Sequence, residues 1–396
     1  MTLLAQHGWG KADKITTALG NASISGLIVS PRDETPDNAA ALLSSVAKNH
    51  PDSTRLFDPQ FHVGLITPAN DGKLPDYDYY KPNLTRRDFI GASKYAKYAS
   101  DVLAFQYNLD VTAAISPTIE LVNFGDSSAQ IALQLADASA EHHARQSDDR
   151  ALLLSFLINE NALGSHDDLD AFLDAITVME ADGFYLMISR ASSKHNELIE
   201  PDRFAGFMYI VYTLRVINGL EVHCGYSDLI GLPLHAAGAT STACGWYGTL
   251  RRFHFNRFRH SRGGRQPRRR YLSMPVLESI LVSELDQIHE AGLIDEFLSD
   301  TNYDSVFSTT TPTLSVPWSG ETAALHHWAA LESKIADIES LSVDDALSTI
   351  SDWLDTADAL RSEAEGRGVQ FEPPSGDHLD MWRRGIEQFR DMAELS

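Results

Sequence analysis

Cysteine is almost missing from this 396-residue chain, in which Cys224 and Cys244 are the two present. They allow at most one bridge and form no CxxC pair, which excludes a disulfide framework and a cysteine-rich zinc module. Lysine is scarce as well: nine of the 32 basic residues are lysine and 23 are arginine. Long apolar runs are lacking. The longest, Phe204 to Leu214, is closed by Arg203 and Arg215 and is too short to span a bilayer. Residues 1–20 show no basic start followed by an apolar stretch, so no secretory leader is read there. Neither GxGxxG nor GxxxxGKS follows any strand-like segment, which removes the usual phosphate-binding turns. The expectation is a chain with no membrane segment, no metal and no cofactor.

What is abundant is acid. Fifty-five Asp and Glu against 32 Lys and Arg leave a formal charge of -23. In dilute buffer such a surface repels itself. At about 1 M salt the Debye length is near 3 Å and the repulsion is screened, so the balance reads as the cytoplasmic protein of a salt-adapted, halophilic cell. With 43% apolar and 22% charged residues, the rest of the composition is that of a globular protein.

Up to about residue 290 one theme repeats: a short apolar run, a turn, then helical spacing. The runs are Gly26 to Ser30, Thr54 to Asp58, Val111 to Ser116, Leu152 to Ile158, Phe184 to Ser189, Leu220 to Tyr226, Thr240 to Gly245 and Tyr271 to Met274. Four meet Pro31, Pro59, Pro117 or Pro275, where the missing N–H ends a ladder. Leu169, Phe172, Leu173 and Ile176 share one helical face behind a Ser165–Asp168 capping pair, and a second stripe starts after Pro201. Strands alternating with helices require a parallel sheet, and eight units without a glycine-rich turn match a (β/α)8 TIM-type barrel. The expected organisation is a barrel over 1–292 with an arginine-rich insertion at 251–270, a linker over 293–320, and a helical C-terminal extension over 321–396.

In such barrels the working residues stand at the C-terminal strand ends. Position alone selects Asp33, Asp58, Glu160 and His223 as candidate acids, bases or nucleophiles, with Arg32 and Arg190 beside them. Three also have a structural reading: Asp33 as a turn or helix-cap acid, Arg32 as a bridge to Glu160 or Asp58, His223 as a satisfied structural histidine. A tyrosine-rich loop, Asp76 to Tyr80, leads to Arg86 and Arg87 and reads either as a lid or as a loop pinned by its rings.

The sharpest anomaly is Arg251 to Arg270, RRFHFNRFRHSRGGRQPRRR, with nine arginines and no acid. Such a run in an acidic chain points to an anion. Arg251, Arg252, Arg257 and Arg259, interleaved with phenylalanine, suit phosphate contacts, while Phe253, Tyr226 and Trp246 suit base stacking. The bland alternative is pairing with acids of the same chain or of a second subunit. The preceding stretch, Gly238-Ala-Thr-Ser-Thr-Ala-Cys-Gly-Trp246 followed by Arg251-Arg252-Phe253, resembles the late-strand region of tRNA-guanine transglycosylase-like barrels. That resemblance implies base exchange in a polynucleotide. It covers about thirty residues. The family's catalytic aspartate has no match, since Thr240, Thr242 and Ala243 stand there, and its cysteine-rich zinc motif is absent, so no catalytic residue is carried over. The expected function is a metal-independent enzyme, or a protein derived from one, of transferase or glycosylase type. Its expected ligand is a nucleic acid, RNA above all, or a nucleotide. A barrel enzyme for a small phosphorylated or carboxylated metabolite and a non-catalytic protein docking an acidic partner are the alternatives.

Overall fold

In a computed structural model, which describes residues 2–146, 148–191, 198–260, 268–307, 316–373 and 376–395, the chain forms a (β/α)8 barrel. Its strands are β1 (Thr2–Gln6), β2 (Gly26–Val29), β3 (Thr54–Phe57), β4 (Ala113–Ile115), then β6 (Ala151–Asn159), β7 (Gly183–Ser189), β8 (Glu221–Cys224) and β9 (Ser241–Cys244). A two-residue strand, β5 (Glu120–Leu121), pairs with the far end of β6 at Leu157 and Ile158. The order is β3-β2-β1-β9-β8-β7-β6-β4, all parallel. Between β3 and β4 the circle is completed by Thr112, whose N–H donates to the Arg55 carbonyl at 2.8 Å and whose Oγ1 accepts the Arg55 N–H at 3.0 Å.

Two strand assignments change. β1, absent from the sequence reading, pairs with both β2 and β9 and is the strand that closes the barrel. Tyr271 to Met274 is not in the barrel: β10 (Arg270–Ser273) turns through Pro275 and pairs antiparallel with β11 (Glu278–Leu281). Five residues, TLLAQ, carry no turn residue on their N-terminal side, whereas the later run has a proline boundary. The count of eight was therefore completed with the wrong segment. The arginine segment consequently follows the eighth barrel strand, not the seventh.

Helices α1 (Lys14–Gly20), α2 (Pro36–Asn49), α3 (Ala92–Gln106), α4 (Ser127–Ala144), α5 (His166–Thr177), α6 (Pro201–Tyr212) and α7 (Gly231–Ala236) follow their strands in turn. After β9 comes a single turn, α8 (Gly248–Arg251). The outer slot between α7 and α1 is filled instead by α11 (Gly320–Ile338), which packs on both helices and on β1. Trp328 of α11 is buried and donates its indole N–H to the Cys244 carbonyl at 3.0 Å.

The excursion between β9 and α11 has its own small core. The β10–β11 hairpin, α9 (Val282–Glu290) and α10 (Ile294–Phe297) bury Tyr271, Leu285 and Phe297. Ala364 of α12 (Val343–Gly366) joins this core from the C-terminal side. Segment 293–320, read above as a linker, buries Phe297, Phe307, Val316 and Trp318 there, so part of it is packed into this core. Last, α13 (Asp377–Met392) lies along α6, with Trp382 and Phe204 ring centroids 5.8 Å apart. Among the described residues no helix is long and apolar enough to cross a membrane.

Candidate active site

Residues following β3, β4 and β9 enclose a cavity of ≈ 610 Å³ at the C-terminal end of the barrel, within the size range of small-ligand sites. Its walls include His62 from the turn after β3, Glu120 of β5, Ser128 at the start of α4, and Arg86 from the loop before α3. Phe255, Arg259 and His260 of the arginine segment line the remaining side.

His62 is 1% exposed, and among the described residues neither ring nitrogen has a hydrogen-bond partner. The rings of Phe253 and Phe258 stand edge-on to it, with centroids at 5.1 and 5.5 Å. Burial among these rings pushes the imidazole down to about 3, so it is neutral at working pH and offers one N–H and one lone pair.

Glu120 is held differently. β5 pairs with the last residues of β6, which brings Glu120 beside the strand ends of β6 and β7. Asn159 Nδ2 and Ser189 Oγ both donate to its Oε1, at 2.8 and 2.5 Å. Among the described residues no hydrogen bond reaches Oε2. The carboxylate is thus fixed through one oxygen on a cavity wall, with its second oxygen free of protein partners.

Deeper in the barrel lies Asp58, at the end of β3 and 2% exposed. Its Oδ1 accepts the Gln60 N–H at 3.0 Å and the Tyr226 hydroxyl lies close to the carboxyl, while among the described residues Oδ2 makes no well-aligned hydrogen bond. Burial raises its carboxyl to about 7, against the opposing pull of the Gln60 N–H, Arg257 and the Tyr226 hydroxyl. Around it, the Gln6 amide at the end of β1 and the Tyr185 hydroxyl of β7 are also buried; they face each other, and among the described residues neither makes a well-aligned hydrogen bond. Buried polar atoms without well-formed partners are rare in folded proteins, and three strands bring such atoms together beside Asp58.

The arginine segment runs across this face of the barrel. Phe253 bridges to Ser189 of β7 and its carbonyl accepts the Arg190 N–H at 3.0 Å, and further on the Phe258 carbonyl accepts the Asn70 N–H at 2.8 Å. The segment's cations divide. Arg257 is 6% exposed and paired with Asp33, whose other oxygen lies 2.9 Å from Arg32 NH1. Arg252 is buried, and Arg251 donates Nε to the Gly245 carbonyl at 2.9 Å. Arg268 and Arg270 meet Glu372. Arg262 and Arg265 lie outside the described residues. Arg259 alone of those predicted as phosphate ligands lines the cavity, joined there by Arg86. Both are exposed, and neither forms an ion pair among the described residues.

Other expected site residues are placed elsewhere. Glu160 is buried between Arg190, at 2.6 Å, and Arg203, at 3.6 Å, and also accepts the Ala191 N–H at 2.9 Å. His223 is bonded to Ser241 Oγ at 2.7 Å and Glu221 at 3.3 Å, the first residues of β9 and β8, which puts it at the opposite end of the barrel from the cavity. Phe253 is 1% exposed and packs edge-on against Tyr226, so it presents no open face for a base. Tyr226 is itself buried, beside Asp58. Trp246 is partly exposed at the rim, its N–H donated to the Trp9 carbonyl at 3.0 Å. The tyrosine loop is pinned: Tyr77, Tyr79 and Tyr80 are buried, and Tyr79 donates to the Pro59 carbonyl at 3.0 Å.

Sequence reading did not select His62, Glu120 or Gln6. His62 sits four residues past an identified strand end, and Glu120 three past Pro117, so strand-end position was a usable signal for both. Gln6 was hidden with β1. Among the described residues, one set of metal-ligating atoms converges: Asp228, Cys244 and His327, all within 4.8 Å of one another. His327 Nε2 and Asp228 Oδ1 are 2.6 Å apart, a hydrogen bond that docks α11 on the loop after β8. A scan against protein-family models finds no match to this chain, and a search of curated proteins finds none either.

Proposed function

We propose that this barrel is an enzyme acting on the base of a nucleic acid, RNA above all, or of a nucleotide. The observation that carries the reading is His62, buried with both nitrogens unpaired, on the wall of a nucleotide-sized cavity that also presents Arg86, Arg259 and a fixed Glu120 carboxylate. The two guanidiniums suit phosphate, which planar cations grip by short-range paired hydrogen bonds that survive salt better than long-range attraction. Neutral His62 on the cavity wall has the mixed donor and acceptor character of a heterocycle's edge. Glu120 Oε2, placed by Asn159 and Ser189, is the candidate base or nucleophile. Asp58, protonated near neutrality, is the candidate acid. Glu120 would attack, or activate an attacker at, a glycosidic carbon while Asp58 supplies the proton to the departing base, the transferase-like chemistry that the late-strand resemblance implies. A small-metabolite site built on Arg32, Arg190 and Arg251 is disfavoured, because their guanidiniums contact Asp33, Glu160 and the Gly245 carbonyl.

The test is binding of nucleoside monophosphates and short RNA, followed by anisotropy at several salt concentrations. Arg86→Ala with Arg259→Ala should weaken both ligands at least about tenfold and flatten the salt dependence, as loss of charged phosphate contacts does. Undiminished binding by the double variant, with unchanged salt slope, would remove the cavity from the account.

A further inference from the structure

Trp9 is 77% exposed, on the loop between β1 and α1, and its display is built into the backbone. Gly8 approaches Leu250 and Tyr247 so closely that a Cβ would fall 2.6 Å from Leu250 Cδ1 and 2.7 Å from the Tyr247 hydroxyl. Gly10 turns the chain with φ +73°, a conformation that side chains disfavour. Between them the Trp9 carbonyl receives the Trp246 indole N–H at 3.0 Å. The turn is therefore locked at its base from both flanks and by its own carbonyl, while the indole at its tip packs on little.

One cation stands at the end of the same loop. Lys14 donates to the Gly10 carbonyl at 2.8 Å, and its ammonium lies 5.6 Å from the Trp246 ring centroid. Lys14 forms no ion pair among the described residues. In a chain of charge -23 with nine lysines, an ammonium bonded to the carbonyl next to an open indole, on the same rim, is complementary to a phosphate with a stacked base. The loop also lies two strands round the rim from β3, whose following turn provides His62 to the cavity, with the β2 loop and its Arg32 between.

We propose that Trp9 is a stacking platform for a base of single-stranded RNA or DNA whose neighbouring nucleotide occupies the cavity, so that the substrate is a polymer and not a free nucleotide. This rests on the reading of the cavity given above. A second aromatic contact outside the cavity is useless to a mononucleotide, which fills the cavity alone. For a strand, it adds binding and sets which nucleotide enters.

The experiment compares a nucleoside monophosphate with a short single-stranded RNA oligonucleotide, on wild-type protein, Trp9→Ala and Trp9→Phe. Wild-type should bind the oligonucleotide more tightly than the monophosphate. Trp9→Ala should lose about tenfold for the oligonucleotide, the order of one base–aromatic stack, and nothing for the monophosphate. Trp9→Phe should recover part of that loss. Quenching of tryptophan fluorescence by the oligonucleotide should fall with Trp9→Ala. If the monophosphate binds but Trp9→Ala leaves oligonucleotide affinity unchanged, the platform is refuted and the cavity reading stands. A shift of Trp9→Ala from dimer to monomer, with no change in affinity, would assign the indole to a second copy of the chain and likewise overturn the proposal. If neither ligand binds, the cavity reading fails first and takes this inference with it.

Discussion

Asp33→Ala should cost the fold about 3–5 kcal/mol, because it leaves a buried guanidinium without its counter-charge. Arg257 is 6% exposed and reaches Asp33 Oδ2, while Arg32 NH1 stands 2.9 Å from Oδ1 and Ser30 Oγ donates to Oδ2 at 3.2 Å. One carboxylate thus satisfies two arginines 225 positions apart in the sequence and ties the arginine segment to the β2 loop. Denaturant midpoints of Asp33→Ala, Arg257→Met and the double variant measure the coupling. Removing both charges should restore much of what Asp33→Ala alone loses, since an apolar pair of similar volume leaves nothing unpaired. Were Asp33 the reacting carboxylate, alanine would instead abolish turnover and change stability by less than about 1 kcal/mol.

Asp58→Asn should stabilise the protein by an amount that depends on pH. The unfolded carboxyl titrates near pH 4, and burial in the barrel moves the folded one up to about 7. Below about pH 4 both states hold the proton and the two proteins should differ little. Between about pH 4 and 7 the unfolded chain ionises while the folded one does not, so wild-type loses stability steadily as pH rises. Above about pH 7 both are ionised and the penalty levels off. Each unit of displacement is about 1.4 kcal/mol, so the plateau is on the order of 4 kcal/mol. Asparagine keeps the shape and removes the titration. Thermal midpoints at about pH 4, 5.5 and 8 should therefore diverge progressively, and a constant offset would show that the carboxyl is hydrated and ionised throughout. Activity should fall with the same variant at every pH if Asp58 is the proton donor.

Much of the barrel was legible because its signals are local. The buried runs of β6 and β7, the proline stops after β2, β3 and β4, and the Ser165–Asp168 pair ahead of α5 all follow from residues adjacent in the chain. β1 was not legible: five residues without flanking punctuation become a strand only because β2 and β9 lie on either side. Site residues divide in the same way. Asp58 could be located from strand-end position, and its partners Gln60 and Tyr226 lie near strand ends too. The pairing of Glu160 with Arg190 and Arg203, or of Asp33 with Arg257, is decided by long-range geometry, and residue type alone cannot separate a structural carboxylate from a reacting one. The arginine segment shows the limit most sharply. Its charge marked it correctly as unusual, yet the structure spends Arg257 on Asp33, turns Arg259 to the cavity, and takes Arg86 from a loop more than 160 residues away in sequence.

The late arrival of α11 bears on how the molecule is made. A ribosome that has released Cys244 has already emitted every strand of the cylinder. The flank where Trp328 belongs stays bare until residues 320–338 emerge. During that interval β1 and β9 have hydrogen-bonding partners but an uncovered greasy outer surface, the kind of nascent intermediate that chaperones hold and that self-associates when they do not.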